Sequence, residues 1–162
     1  LADREGCYLH SCGVIFEGKG LLFAGHSGAG KSTVARMLKG KAEILCDDRI
    51  IVRRQKTEDR KQKTEFRIYG TWSHGDVPDV SGSSAPLRAI MFLEKDSEDR
   101  LIRLEDKKMI SKKILACLIQ PLVTVVWWEK TLALIDKIIQ TIPCYVLKFD
   151  KSGKLIDILR QL

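Results

Sequence analysis

Residues 21–38 read LLFAGHSGAGKSTVARML, and the eight from Gly25 to Ser32 fit the pattern G-x-x-x-x-G-K-[ST]. How this stretch is read decides the fold. An apolar run enters it, and a helix from Lys31 to about Lys39 leaves it, stopped by Gly40. Glycines let main-chain amides turn inward onto phosphate oxygens with no Cβ in the way. Lys31 adds a mobile cation for the β- and γ-phosphates. The Ser32 hydroxyl is placed for Mg²⁺, and the helix N-terminus adds positive partial charge. The predicted nucleotide-contacting stretch is therefore Gly25, His26, Ser27, Gly28, Ala29, Gly30, Lys31, Ser32 and Thr33. Within it, His26 holds a variable position and is read as a solvent-edge residue whose side chain is not a ligand.

Upstream, CYLHSCGVIF, the tetrapeptide EGKG and LLFAG read as strand, turn and strand. The strand feeding the loop is thus expected to be antiparallel to its predecessor. A parallel-sheet switch or motor NTPase would instead show a uniform βαβ succession. Downstream, the strand AEILC ends at Asp47-Asp48. Neighbouring residues on a strand face opposite ways, but at the strand end that restriction loosens. One carboxylate can hold Mg²⁺ through water, and the other can take a proton from an attacking hydroxyl. His10 lies on the first hairpin strand and is expected some distance along the sheet from the glycine loop.

The remaining pattern predicts a hairpin from RIIVRRQK and TEFRIYG around the charged tip TEDRKQK. Residues 70–86, GTWSHGDVPDVSGSSAP, read as a long loop, with Trp72, His74 and Asp76 near an acceptor site. A third strand pair is expected around Asp96–Asp99. Two helices follow, about Lys108–Ile119 and Val126–Thr141, the second carrying a core stripe of Leu132, Ile135, Ile138, Ile139 and Ile142. The strand CYVLKFD, a Lys-Ser-Gly turn and a short element close the chain. The fold class is α/β, with mixed, largely antiparallel sheets and flanking helices.

At 162 residues, the chain suits one domain with one core, assigned to 1–162. Five scattered cysteines without C-x-x-C suggest neither zinc nor a disulfide framework, and point to buried reduced thiols in a cytoplasmic protein. The most apolar region, Ile114–Trp128, is too short and too interrupted to span a bilayer. Net charge is +7, yet acids interleave the basic run RRQKTEDRKQKTEFR, so a nucleic-acid face is not expected.

His10, the loop from Gly25 to Ser32 and the segment LCDDRI together resemble the catalytic domain of HPr kinase/phosphorylase, above all its short stand-alone relatives. The resemblance covers about Tyr8 to Leu104. It implies a phosphoenolpyruvate-carboxykinase-like P-loop fold, ATP and Mg²⁺ as cofactors, and a tendency to homo-oligomers. By position it implies Lys31 at the phosphates, Ser32 and Asp47 at the metal, Asp48 as proton acceptor and His10 as a supporting catalytic residue. The implied activity is transfer of a γ-phosphoryl group to a hydroxyl, serine above all, of a peptide, protein or small molecule. Two departures stand out. Arg67-Ile68-Tyr69-Gly70 replaces the family's glutamate-bearing segment, and only Arg88 stands near the place of its phosphorolysis arginine. The competing reading is an ATP- or ADP-binding module, catalytically impaired, that recruits or regulates a partner.

Overall fold

The computed structural model describes residues 1–57, 63–120, 124–150 and 154–162. The tip of the 57–63 turn and the turn at 151–153, both expected above, lie outside these residues. Strand β1 (Gly6–Phe16) and strand β2 (Lys19–Ala24) form the first hairpin, antiparallel, with Phe16 opposite Lys19. Glu17 (φ 50°) and Gly18 (φ 75°) occupy its two-residue turn, so both central residues have positive φ. That backbone twist matches the twist of the flanking strands. Helix α1 (Lys31–Leu38) follows the glycine loop, and β3 (Glu43–Cys46) returns to pair antiparallel with β1. The predicted second hairpin is β4 (Arg49–Lys56) and β5 (Thr64–Tyr69).

The long loop ends three residues earlier than expected, because Ser84, Ala85 and Pro86 already pair with β5 as the start of β6 (Ser84–Lys95). A second difference is topological. Strand β7 (Arg100–Leu104) does not pair with β6. Strand β8 (Cys144–Phe149) lies between them, parallel to β6 and antiparallel to β7. The turn at Asp96–Asp99 therefore leaves a strand-wide gap that a distant segment fills.

β2 and β6 also pair in parallel, so the pairings β2–β1–β4–β5–β6–β2 close a circuit. The sheet is mixed and mostly antiparallel. Its three mutually parallel strands, β2, β6 and β8, send their C-terminal ends to one edge.

Both faces of these strands are covered, which explains their continuous apolar runs. Leu22, Ile90 and Phe92 pack with helices α2 (Lys107–Ala116) and α3 (Val125–Thr141), through Ile114, Ile135 and Ile138. Leu21, Phe23 and Met91 point the other way, onto Val34 and Leu38 of α1 and Leu155 and Leu159 of α4 (Leu155–Leu159). Side chains alternate between faces along each strand, so two cores arise from one run, where the chain's length had suggested one. The α3 stripe needs one correction. Leu134 and Thr131 are buried there, whereas Leu132 is 45% exposed. Leu132 lies about 100° round the helix from Thr131, at the margin of the buried arc. All five cysteines are buried and unpaired. Among the described residues, no helix is long and apolar enough to cross a membrane.

Candidate functional site

The C-terminal edge of the three parallel strands carries a cavity of about 330 Å³, bordered by Ser27, Gly28, Gly30, Lys31, Ser32, Thr33, His10, Asp47 and Asp48. Arg36, Gly75, Asp76 and Lys95 complete the wall. Ligands in open α/β sheets gather at this kind of edge.

The glycine loop is shaped by two close approaches. Gly30 has φ 109°, and a Cβ there would lie 2.6 Å from Cζ of Phe149. Conformation and space both exclude a side chain. A Cβ on Gly25 would lie 2.7 Å from Cβ of Ala29, which is buried under the loop. The first-turn amides of an α-helix have no intrahelical acceptor, and no side chain caps α1. Of the nine loop residues predicted from sequence, Ser27, Gly28, Gly30, Lys31, Ser32 and Thr33 border the cavity. Gly25 and His26 contribute main-chain carbonyls instead, accepting from Lys31 Nζ at 2.9 and 3.2 Å. The His26 side chain is exposed, as expected of the loop's solvent edge. Lys31 is only 7% exposed, and its burial lowers its pKa.

Asp48 stands across the cavity. Its Oδ1 lies 3.2 Å from His10 Nε2, and its Oδ2 accepts from Arg49 Nε at 3.0 Å and Ser73 Oγ at 3.4 Å. His10 is thus not remote from the loop, contrary to expectation. β1 pairs with β2 through Ser11–Phe16 and with β4 through Gly6–His10. His10 sits at the changeover, and Ser11 N–H donates to the Asp48 carbonyl at 2.9 Å. Burial first, then the Lys31 charge, pulls the His10 pKa below its ordinary 6.5; Asp48 opposes this without overcoming it. The shift favours the neutral imidazole.

Asp47 is 2% exposed and faces a different task. Its Oδ1 accepts from Gly75 N–H at 2.6 Å, and its Oδ2 from Val77 N–H at 3.1 Å. It thereby pins the 70–83 loop against the site. Cys46 supports the same corner. Its thiol donates to the Ser73 carbonyl at 2.5 Å and receives the Asp48 and Arg49 amides, both at 3.3 Å. Lys39 pairs with Asp79 at 2.8 Å, tying the loop to α1.

Of the three loop residues expected near an acceptor, only Asp76 borders the cavity. Trp72 is 86% exposed and His74 is exposed outside it. Arg88 is exposed and does not border the cavity. Arg67 lies on β5, bonded to Glu65 at 2.8 Å and to the Ser84 carbonyl at 3.1 Å, also away from the wall. The sequence reading missed Cys46, Gly75, Arg36 and Lys95. A thiol inside an apolar strand looks like packing, and Lys95 reaches the site only because β6 runs parallel to β2. The one available signal was Arg36, five residues after Lys31 on the same helix.

The mixed sheet, its flanking helices and the loop-and-carboxylate edge define an α/β protein with a kinase-like fold neighbour. The HPr(Ser) kinase/phosphatase from Coxiella burnetii aligns over 95% of this chain and 88% of its own, with a TM-score of 0.52 and 11% identity. That likeness concerns the fold. The chain itself belongs to the ScmC family, described as SynChlorMet cassette protein ScmC, whose pattern it matches over residues 1–162. No curated protein matches it in sequence.

Proposed function

We propose that residues 1–162 form one P-loop domain of the phosphoenolpyruvate-carboxykinase-like kind, and that it transfers the γ-phosphoryl group of ATP to a hydroxyl. The single observation that carries this reading is the Asp48 carboxylate beside His10, in one cavity with Lys31 and the glycine loop. The loop amides and Lys31 hold the phosphates, the ammonium exchanging its two carbonyl acceptors for phosphate oxygens. Ser32 and the lone pairs of Asp47 not engaged by amides are the candidate Mg²⁺ ligands. Among the described residues no cluster of three metal-binding side chains occurs. Mg²⁺ fits such a site, because it commonly takes one or two protein ligands plus phosphates and water. When bound, it offsets charge on the transferring group.

Asp48 accepts the proton of the acceptor hydroxyl as that oxygen attacks the γ-phosphorus and the bond to the β-phosphate oxygen breaks, releasing ADP. A neutral His10 keeps the carboxylate oriented through Nε2. The acceptor is a peptide, protein or small molecule bearing a hydroxyl, serine above all.

One observation favours the second reading, a nucleotide-binding module without transfer. Arg67 holds the position of the resembled family's glutamate, and it is engaged with Glu65 and Ser84. Radiolabelled γ-phosphate ATP with Mg²⁺ and candidate hydroxyl acceptors separates the two. The kinase reading expects label on an acceptor, lost in Asp48→Asn with nucleotide affinity retained. Transfer that survives Asp48→Asn overturns the role given to Asp48. Nucleotide binding without transfer to any acceptor favours the module.

A further inference from the structure

We propose that Lys95 reads the terminal phosphate of a nucleoside triphosphate in this cavity, and so sets a preference for tri- over diphosphate. The assignment rests on the nucleotide reading above and goes beyond it, since no pattern in the sequence marks this residue.

Register places Lys95 at the loop. It is the last residue of β6 and pairs with Phe149 of β8. The Phe149 ring is the group that a Cβ on Gly30 would strike at 2.6 Å. Two residues earlier, Leu93 Cβ lies 3.7 Å from where a Gly25 Cβ would stand. Facing gives the same answer. Ala89, Met91 and Leu93 all join the core on the α1 side. Lys95 continues that alternation, on the face that carries the glycine loop. It borders the same cavity as Lys31 and Asp48.

Charge accounting then separates Lys95 from the other cations. Lys31 donates to the Gly25 and His26 carbonyls, Arg49 to Asp48, and Arg36 stands 4.0 Å from Asp76. Two acids flank Lys95 in sequence, and each is met by a different lysine: Glu94 by Lys113 at 3.6 Å and Asp96 by Lys148 at 2.8 Å. Among the described residues, the Lys95 ammonium has neither a hydrogen bond nor an ion pair, its main chain alone being engaged, in the ladder with β8. An ammonium left without a carboxylate at the rim of the cavity that the glycine loop and Lys31 border is available to an anion. On its flexible stem it acts as a point charge toward phosphate. A contact made only with the outermost phosphate strengthens ATP binding and leaves ADP binding alone.

The test is calorimetry with Mg²⁺, using ADP and the non-hydrolysable β,γ-imido analogue of ATP. Wild type is compared with Lys95→Ala, Lys95→Arg and Lys31→Ala. Lys95→Ala is expected to weaken analogue binding about tenfold, equivalent to about 1.4 kcal/mol, and to change ADP affinity by less than about twofold. Lys95→Arg restores most of the loss, and Lys31→Ala weakens both nucleotides. Lys95 is exposed, so its two variants should melt with the wild type. If wild type binds both nucleotides and Lys95→Ala shifts both equally, or neither, the Lys95 assignment fails while the nucleotide reading stands. If wild type binds neither nucleotide, the underlying reading fails and takes this assignment with it.

Discussion

Asp47→Asn tests how the 70–83 loop is held over the site. The carboxylate is buried and accepts one amide on each oxygen, from Gly75 at 2.6 Å and Val77 at 3.1 Å. Asparagine keeps one acceptor and turns an NH₂ toward the other amide. One charge-assisted hydrogen bond is lost, worth about 1.5–3 kcal/mol, and the survivor becomes an ordinary one worth about 1 kcal/mol. A net destabilisation of about 3 kcal/mol follows. For a chain of this size, that lowers the melting temperature by about 6–12 °C. If the loop yields locally instead, the Gly75 and Val77 amides should exchange with solvent about a hundredfold faster, by the same free energy. The assays are urea unfolding and amide hydrogen exchange on wild type and variant. A stability change below about 0.5 kcal/mol, the scatter of ordinary surface substitutions, with unchanged protection at both amides, would refute the reasoning.

Two further predictions concern the core and the histidine. Ile135→Ala on α3 should cost about 2–5 kcal/mol as a buried truncation, whereas Leu132→Ala should stay within about 0.5 kcal/mol; equal losses in urea unfolding would contradict the assigned helix face. In proton NMR, His10 should titrate below its ordinary 6.5, and Asp48→Asn should lower it further by removing the one charge that raises it. Because the folded-state pKa is depressed, the folded protein binds this proton less readily than the unfolded chain. The stability linked to His10 is therefore complete above 6.5 and lost as pH falls through the folded-state pKa. A rise of the His10 pKa in Asp48→Asn would show that the contact is not electrostatic.

Features set by near neighbours were legible in the sequence. The hairpin turn is legible from Gly18, which takes positive φ freely, although Glu17 takes it against its preference. The glycine loop, α1 and the β4–β5 hairpin follow from patterns a few residues long. So does the start of α3, where Thr124 accepts from Trp127 N–H at 3.1 Å. Such elements form from contacts that close short loops, and their cost is visible in the local chain.

Tertiary structure decided the rest, through contacts that the chain makes across long separations. β8 enters between β6 and β7, although only a four-residue turn joins those two. A polar residue at the end of an apolar strand looks the same whichever strand lies beside it. The parallel alignment of β2, β6 and β8 alone brings Lys95 to the glycine loop, and the double pairing of β1 alone brings His10 to Asp48. Asp47 finds its amides at residues 75 and 77. Residue types and their local spacing thus specified which chemical groups the protein owns. Strand order and register, fixed by the simultaneous packing of two cores, determined which of those groups meet.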